Sequence, residues 1–478
     1  MAEPALLGSK IRVLRRKHGA TQASLAEKLG ISASYLNLIE HNRRPMSAAL
    51  LIKLADVFSL DLKSLSGEHD ARLAGELLEV FGDTLFDDHA ITAADVRELT
   101  ASSPAAARAM LTLYQAYRGA RESAASLAAS IYDKDDLKGL ERSRLPSEEV
   151  SDFIQQHTNY FPDLENGAEN LWRESALVGD TLFQGLVRYL EEVHGVRVVL
   201  EQAPAMQGAV RRFDARRRRL SLSEVLRRGS RNFQLAYQVG LLSQGEVMGR
   251  LVKDPLLTTD ASRALARVAL ASYFSGAVLM PYTEFLEAAQ AERYDIELLG
   301  HRFRASFEQV CHRLTTLRRP QSEGVPFHFV RIDIAGNISK RFSASGLRFA
   351  RFSGACPRWN VFSAFLTPGM IRTQVSQMPD GTTYFWVARS VRKEGGGYHA
   401  PHTTLAVGLG CEVSHARRLV YADGVDLESR EAVVPVGLTC RLCERADCEQ
   451  RAFPAIQHPL RVDENVRGVS FYAPVEPR

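Results

Sequence analysis

Three cysteines stand within nine residues of one another late in this chain, in Cys440-Arg441-Leu442-Cys443-Glu444-Arg445-Ala446-Asp447-Cys448. A C-x-x-C pair followed by a third thiol after four residues is a compact chelating loop. Thiolates are soft donors that hold tetrahedral zinc or the irons of an iron-sulfur cluster, and the spacing leaves both open. A fourth ligand must come from farther away. Cys411, after Gly408-Leu409-Gly410, is the expected one, with Cys356, in Gly354-Ala355-Cys356-Pro357, as the alternative.

A second group of residues has the chemistry to read DNA. In the stretch from Thr21 to Glu40, Thr21 is placed to cap one helix, Ala26 is small enough for a second helix to cross closely, and Gly30 turns the chain. Ser32 then caps a helix with Leu36 and Ile39 inward, leaving Ala33, Ser34, Tyr35, Asn37 and His41 on or near the outer face. Short polar side chains at the exposed start of such a helix fit a major groove, whose base edges offer donors, acceptors and thymine methyls. Ser34, Tyr35 and Asn37 are the expected base-reading residues, with Ser32 beside them in the expected DNA-binding set. Gln22, at a helix N-terminus, and Arg43 and Arg44, in the next loop, are placed to hold phosphates of a double-stranded operator.

The elements that must position these groups follow from length and pattern. With 478 residues the chain exceeds one ordinary core. The net charge is only +4, but residues 1–47 hold eight Lys/Arg against three acids, so the first segment is the electropositive one. We expect a multidomain, mainly α chain with an α+β C-terminal part. Residues 1–68 read as a five-helix DNA-binding domain, 69–144 as a helical connector and dimerisation element, and 145–320 as helices with short strands. Residues 321–478 read as a sheet-containing, cysteine-rich sensor domain, because β-branched and aromatic alternation such as FHFVRIDI and TTYFWVARSV begins there. With no apolar leader and no run of about 18 apolar residues, a cytoplasmic location with reduced thiols and no membrane partner is expected.

Residues 7–66 resemble the XRE-type helix-turn-helix family on the Thr21–Glu40 motif. The run Phe233-Gln234-Leu235-Ala236-Tyr237-Gln238-Val239-Gly240-Leu241 is similar to the active helix of the ImmA/IrrE zinc peptidases, where H-E-x-x-H sets two imidazoles on one helical face. Here those positions hold Tyr237, Gln238 and Leu241, and the third-ligand position holds Leu270, so the resemblance implies a degenerate, non-enzymatic domain. The pieces Gly354–Asn360, Met378–Gly381, Tyr384–Arg389 and Cys440–Pro454 resemble the C-terminal domain of the short-chain fatty acyl-CoA regulator family.

That last resemblance implies a transcription regulator of short-chain acyl-CoA use, of the propionyl-CoA or glyoxylate-bypass type. It implies acyl-CoA as effector, and a 4Fe-4S cluster in preference to zinc. A CoA pocket pairs basic residues with an apolar channel, which points to Arg331, Lys340 and Arg341 and to Tyr273 and Phe274. Arg216–Arg219 reads instead as a solvated hairpin. Paired DNA heads imply a homodimer or higher homo-oligomer. The rival readings are a redox sensor without acyl-CoA and a metallopeptidase; the four substituted positions disfavour the second.

Overall fold

The computed structural model describes residues 11–12, 14–15, 19–40, 43–44, 46–47, 50, 53–54, 57–58, 68–86, 89, 91–130, 146–345, 347, 349, 355–393, 399, 402–440, 443–445 and 448–454. They fall into two compact units. One takes the described residues before Leu140 and from Thr439 onward; the other takes those within Glu141–Phe349 and Gly354–Leu438.

In the first unit, α1 (Gln22–Leu29) and α2 (Ala33–Glu40) form where the local signals demand. The Thr21 hydroxyl accepts from the Ser24 N–H at 3.1 Å, and Gly30 ends α1 at φ 70°, a left-handed turn that costs glycine nothing. The Ser32 hydroxyl then accepts from the Tyr35 N–H at 3.1 Å. Ile11, Leu25, Ala26, Leu29, Leu36, Ile39 and Leu54 make the core, and helical turns at 11–12, 14–15, 50, 53–54 and 57–58 flank the pair.

A separate core of Leu77, Val80, Val96, Ala107 and Leu111 joins α3 (Glu68–Phe81), α4 (Ala93–Ser102) and α5 (Pro104–Ser130). Thr92 and Asp95 close a reciprocal capping box on α4. Pro104 opens α5, where its missing N–H is harmless. The rest of the expected connector, 131–144, lies outside the described residues.

The second unit begins with α6 (Pro146–Gln156), α7 (Pro162–Glu174) and α8 (Leu182–His194). A three-stranded sheet follows from β1 (Arg197–Glu201), β2 (Arg211–Asp214) and β3 (Arg219–Ser223) in the order β1-β3-β2. The Asp214 carboxylate accepts from the Arg216 and Arg217 N–H groups and folds Arg216–Arg219 into a hairpin turn. Helices α9 (Arg228–Ser243) and α10 (Asp260–Leu279) pack across each other. Two short helices follow, Ile296–Phe303 and α11 (Phe307–Leu314). Arg304 adopts φ 52° between them, and a Ser306–Gln309 capping box restarts the helix.

The six-stranded sheet has the order β9-β6-β7-β8-β4-β5, with β4 (His328–Asp333), β5 (Ile338–Phe342), β6 (Arg372–Gln377), β7 (Thr383–Lys393), β8 (Thr403–Glu412) and β9 (Val433–Pro435). Only the β9–β6 pair is parallel. Strand alternation splits its side chains. Phe385, Val387, Val407, Leu409 and Cys411 join one core; Tyr384, Trp386, Ala388 and Ala406 join another with Cys356 and Trp359. Glycine is required at 410, since a Cβ there would meet the Trp386 ring at 2.5 Å.

The first of these cores runs unbroken from Val150 to Ala422. The change of sequence character near 320 is therefore no gap in packing. At its centre Arg313 donates to both oxygens of Glu165, at 2.5 and 2.9 Å, and to the Met280 carbonyl at 2.9 Å, tying α11 to α7 and to the residue after α10. Among the described residues no single helix is long and apolar enough to cross a membrane.

Candidate functional site

On α2, Leu36 and Ile39 are buried, while Ser32, Ser34, Tyr35 and Asn37 are exposed, as are Arg43 and Arg44 just beyond. His41 lies outside the described residues. Gln22 differs from expectation. Its amide nitrogen donates to Glu40 Oε2 at 2.7 Å, and its oxygen faces Asn37 Nδ2 at 3.5 Å. In the free protein Gln22 thus ties the two helices together instead of standing open to a phosphate. Glu40 is the residue that sequence reasoning missed: buried, forked by Arg15, with its carbonyl accepting from Arg12.

In α9 the two adjacent positions where a zinc peptidase carries histidine and glutamate hold Tyr237 and Gln238, both buried. Arg211, the first residue of β2, sets its guanidinium 4.2 Å over the Tyr237 ring and donates to Gln238 Oε1 at 2.5 Å. Burial pushes the Tyr237 pKa up and the Arg211 pKa down. Leu270 is sealed in the core.

Tyr273 and Phe274 do not line a ligand channel. The Tyr273 hydroxyl donates to Glu165 Oε1 at 2.6 Å and accepts from the Phe161 N–H at 3.3 Å, so its polar end is already spent inside the core. Burial, more than the neighbouring Glu165, keeps it protonated. Phe274 is fully buried where α10 crosses α9 at Gly240; a Cβ at 240 would meet the Phe274 ring at 2.7 Å. Both are packing residues.

The expected basic residues divide between two places. Arg341 is bonded to Glu148 on α6 at 3.1 Å. Arg331 and Lys340 gather instead at Glu308 on α11, and Lys393 from the end of β7 joins them. Arg331 reaches Glu308 Oε1 at 2.5 Å, Lys393 reaches Oε2 at 3.4 Å, and Lys340 Nζ stands 3.4 Å from His312 Nε2. Burial works against a charged Glu308, but Lys393, His312, Arg331 and Lys340 outweigh it and hold its carboxyl down at about 2. Three cations facing one carboxylate leave a positive excess. Lys393, more than fifty residues away in sequence, carried no local signal.

None of the six cysteines is in a disulfide. Cys443 is buried, and Cys440 and Cys448 are half-buried. Their loop is drawn around the buried Arg451, whose guanidinium donates to the carbonyls of Cys440 at 2.5 Å and Cys443 at 2.8 Å, of Phe453 at 3.3 Å, and of Arg445. Among the described residues no three His, Cys, Asp or Glu side chains are gathered closely enough to hold an ion. The donor set suits a thiophilic group, while the side chains themselves stand apart.

Cys411, the expected fourth ligand, lies in the hydrophobic core of the second unit. It sits on the core side of β8, fully buried beside Phe385 and Leu419, and burial pushes its thiol up to about 12. Cys356 lies over the opposite sheet face. Its N–H donates to the Leu438 carbonyl at 3.1 Å, and Trp359 Nε1 donates to the Gly437 carbonyl at 3.2 Å, fixing backbone two residues before Cys440 in the chain.

Residues 11–65 match the helix-turn-helix family model, residues 191–315 the IrrE N-terminal-like domain, and residues 316–472 the short-chain fatty acyl coenzyme A regulator, C-terminal. The transcriptional regulator RamB of Mycobacterium tuberculosis is 41% identical over 469 residues, 98% of each chain. The propionyl-CoA carboxylase regulator of Cereibacter sphaeroides is 41% identical over 477 residues, 100% of each. A solved Mycobacterium tuberculosis transcriptional regulator superposes with TM-score 0.66 at 44% identity, covering 68% of this chain and 98% of the other. With an exposed helix-turn-helix at one end, a peptidase-like domain whose expected ligand and base positions hold Tyr237, Gln238, Leu241 and Leu270, and full-length relatives that are regulators, the chain belongs to the short-chain fatty acyl coenzyme A regulator family.

Proposed function

We propose that this chain represses or activates genes of short-chain acyl-CoA metabolism by binding a DNA operator as a homo-oligomer, with a short-chain acyl-CoA as effector. The observation that carries the effector is the grouping of Arg331, Lys340 and Lys393 around the single carboxylate of Glu308. Phosphates are met by clustered cations of this kind, and CoA carries several. The Cereibacter sphaeroides relative, a propionyl-CoA carboxylase regulator, supports propionyl-CoA use as the regulated process. An effector shifts DNA affinity only by as much as its own affinity differs between the DNA-binding and released states.

We assign Cys440, Cys443 and Cys448 to a 4Fe-4S cluster, with zinc as the alternative metal. The cluster, when bound, would supply a redox-sensitive centre at that loop. Arg451 holds the loop's carbonyls inward, so the three thiols of that loop start from a fixed backbone.

Operator binding by the purified protein, titrated with acetyl-, propionyl- and butyryl-CoA with the cluster intact and then oxidised, tests the reading. We expect propionyl-CoA to change operator affinity, and an Arg331→Gln, Lys340→Gln variant to lose that response while still binding DNA. A response to oxidation alone favours the redox-sensor reading. Iron and acid-labile sulfide should fall in Cys440→Ser and Cys443→Ser, and single Cys356→Ser and Cys411→Ser variants identify the fourth ligand; stoichiometric zinc without iron defeats the cluster.

A further inference from the structure

We propose that Arg211, held against Tyr237 and Gln238, anchors a binding site for the carboxylate of a small organic acid, at the place where the peptidase fold would hold its metal. The site is independent of the Arg331 group and of the acyl-CoA reading.

Tyr237 and Gln238 occupy the adjacent positions at which the zinc-peptidase helix carries a ligand and a base, and both now face Arg211. The chain has thus exchanged a cation held by side chains for a cation that is itself a side chain. Among the described residues Arg211 has no carboxylate partner; its contacts are the Tyr237 ring at 4.2 Å and Gln238 Oε1 at 2.5 Å. A guanidinium withdrawn from water without a counter-charge is costly, and a neutral ring and one amide compensate only in part.

Two arginines near this sheet are differently arranged. Arg219 is paired with Glu201, and Arg231 donates to the Glu224 carbonyl. Arg211 is only half-buried, and neither its remaining nitrogens nor the Tyr237 hydroxyl belongs to the sealed, unpartnered polar atoms. Among the described residues no protein group takes the remaining guanidinium donors of Arg211 or the Tyr237 hydroxyl. A single positive charge with a planar fork matches a planar monoanion, hence a carboxylate in preference to a phosphate dianion, which needs more donors and more charge.

Calorimetric titration of the full chain with acetate, propionate and inorganic phosphate tests this. Saturable carboxylate binding is expected in the wild type, weakened about tenfold or more in Arg211→Gln and also reduced in Tyr237→Phe. Arg211→Lys keeps the charge, guards against a folding defect, and should bind more weakly because the fork is lost. Equal affinity in wild type and Arg211→Gln, no saturable binding of either acid, or phosphate binding tighter than both acids each overturns the proposal. Propionyl-CoA titrated on the same proteins keeps the two readings apart: loss of its effect on DNA binding tells against the effector, not against this site.

Discussion

Arg15 grips both oxygens of Glu40, Nε to Oε1 at 2.6 Å and Nη2 to Oε2 at 3.0 Å, and the carboxylate is sealed at the base of α2. Burial opposes its charge, but hydrogen bonds from Arg15 and Gln22 win and hold its pKa below the ordinary value. A depressed carboxyl contributes stability above its unfolded pKa of 4.5, and that contribution is lost as pH falls through the lower folded value. Glu40→Gln strands the guanidinium of Arg15 and should cost the domain about 3 kcal/mol. Hydrogen exchange in peptides covering 22–40 measures this; unchanged protection in the variant rejects it.

Asn37 and Arg43 should separate specificity from affinity. Arg43→Ala is expected to weaken binding to operator and random DNA alike and to flatten the log affinity against log salt slope by about one. Asn37→Ala should redistribute preference among sites by about 1–3 kcal/mol at the affected base pair. Selection from a random duplex pool, followed by salt titration of the winners, reads both, and identical behaviour of the two variants contradicts the assignment.

His328 gives the sheet an acid limit. It is fully buried, accepts from the Ala344 N–H at 3.2 Å, and has Ser345 Oγ at 3.0 Å from its other nitrogen. Burial first, and Arg318 second, push its pKa from 6.5 down to about 3. The unfolded chain takes up a proton below 6.5 that the folded one refuses until near 3. Stability is complete above 6.5 and declines as pH falls, by about 1.4 kcal/mol per unit at its steepest. Urea unfolding at pH 7, 6 and 5 should show that slope, and His328→Gln should flatten it.

Gly240 lets α9 and α10 approach until Phe274 lies against bare backbone. Gly240→Ala overfills this crossing and should cost about 1–3 kcal/mol, with Phe274→Leu recovering part of the loss in the double variant. Denaturant midpoints check this. Phe274→Leu should leave the affinity for acyl-CoA unchanged, since the ring touches only core.

The helix-turn-helix was legible because its signals are local. Thr21, Gly30 and Ser32 announce helix ends within a few residues, and Leu36 and Ile39 mark the buried side of a single turn. Glu40 carried no such mark, for its partner Arg15 lies 25 residues upstream. Tyr273 and Phe274 misled because aromatic residues suit channels and cores equally. The helical spacing of Leu270, Phe274, Ala277 and Val278 is the signal that assigns Phe274 to the core. Cys356 and Cys411 look alike in sequence as candidate fourth ligands; only the fold separates them, one thiol in each of two cores. Lys393 beside Glu308, and Arg211 beside Gln238, are products of tertiary folding that no window of sequence contains.

The core that runs from Val150 to Ala422 has a consequence for how this family could have been assembled. The family models meet at 315 and 316, yet the side chains on either side of that seam interlock. A chimera that swaps the C-terminal part between two relatives at this point would bring together two half-cores that had not drifted in concert. The peptidase-like helices and the sheet should therefore unfold as one cooperative transition, and travel between lineages as one heritable unit.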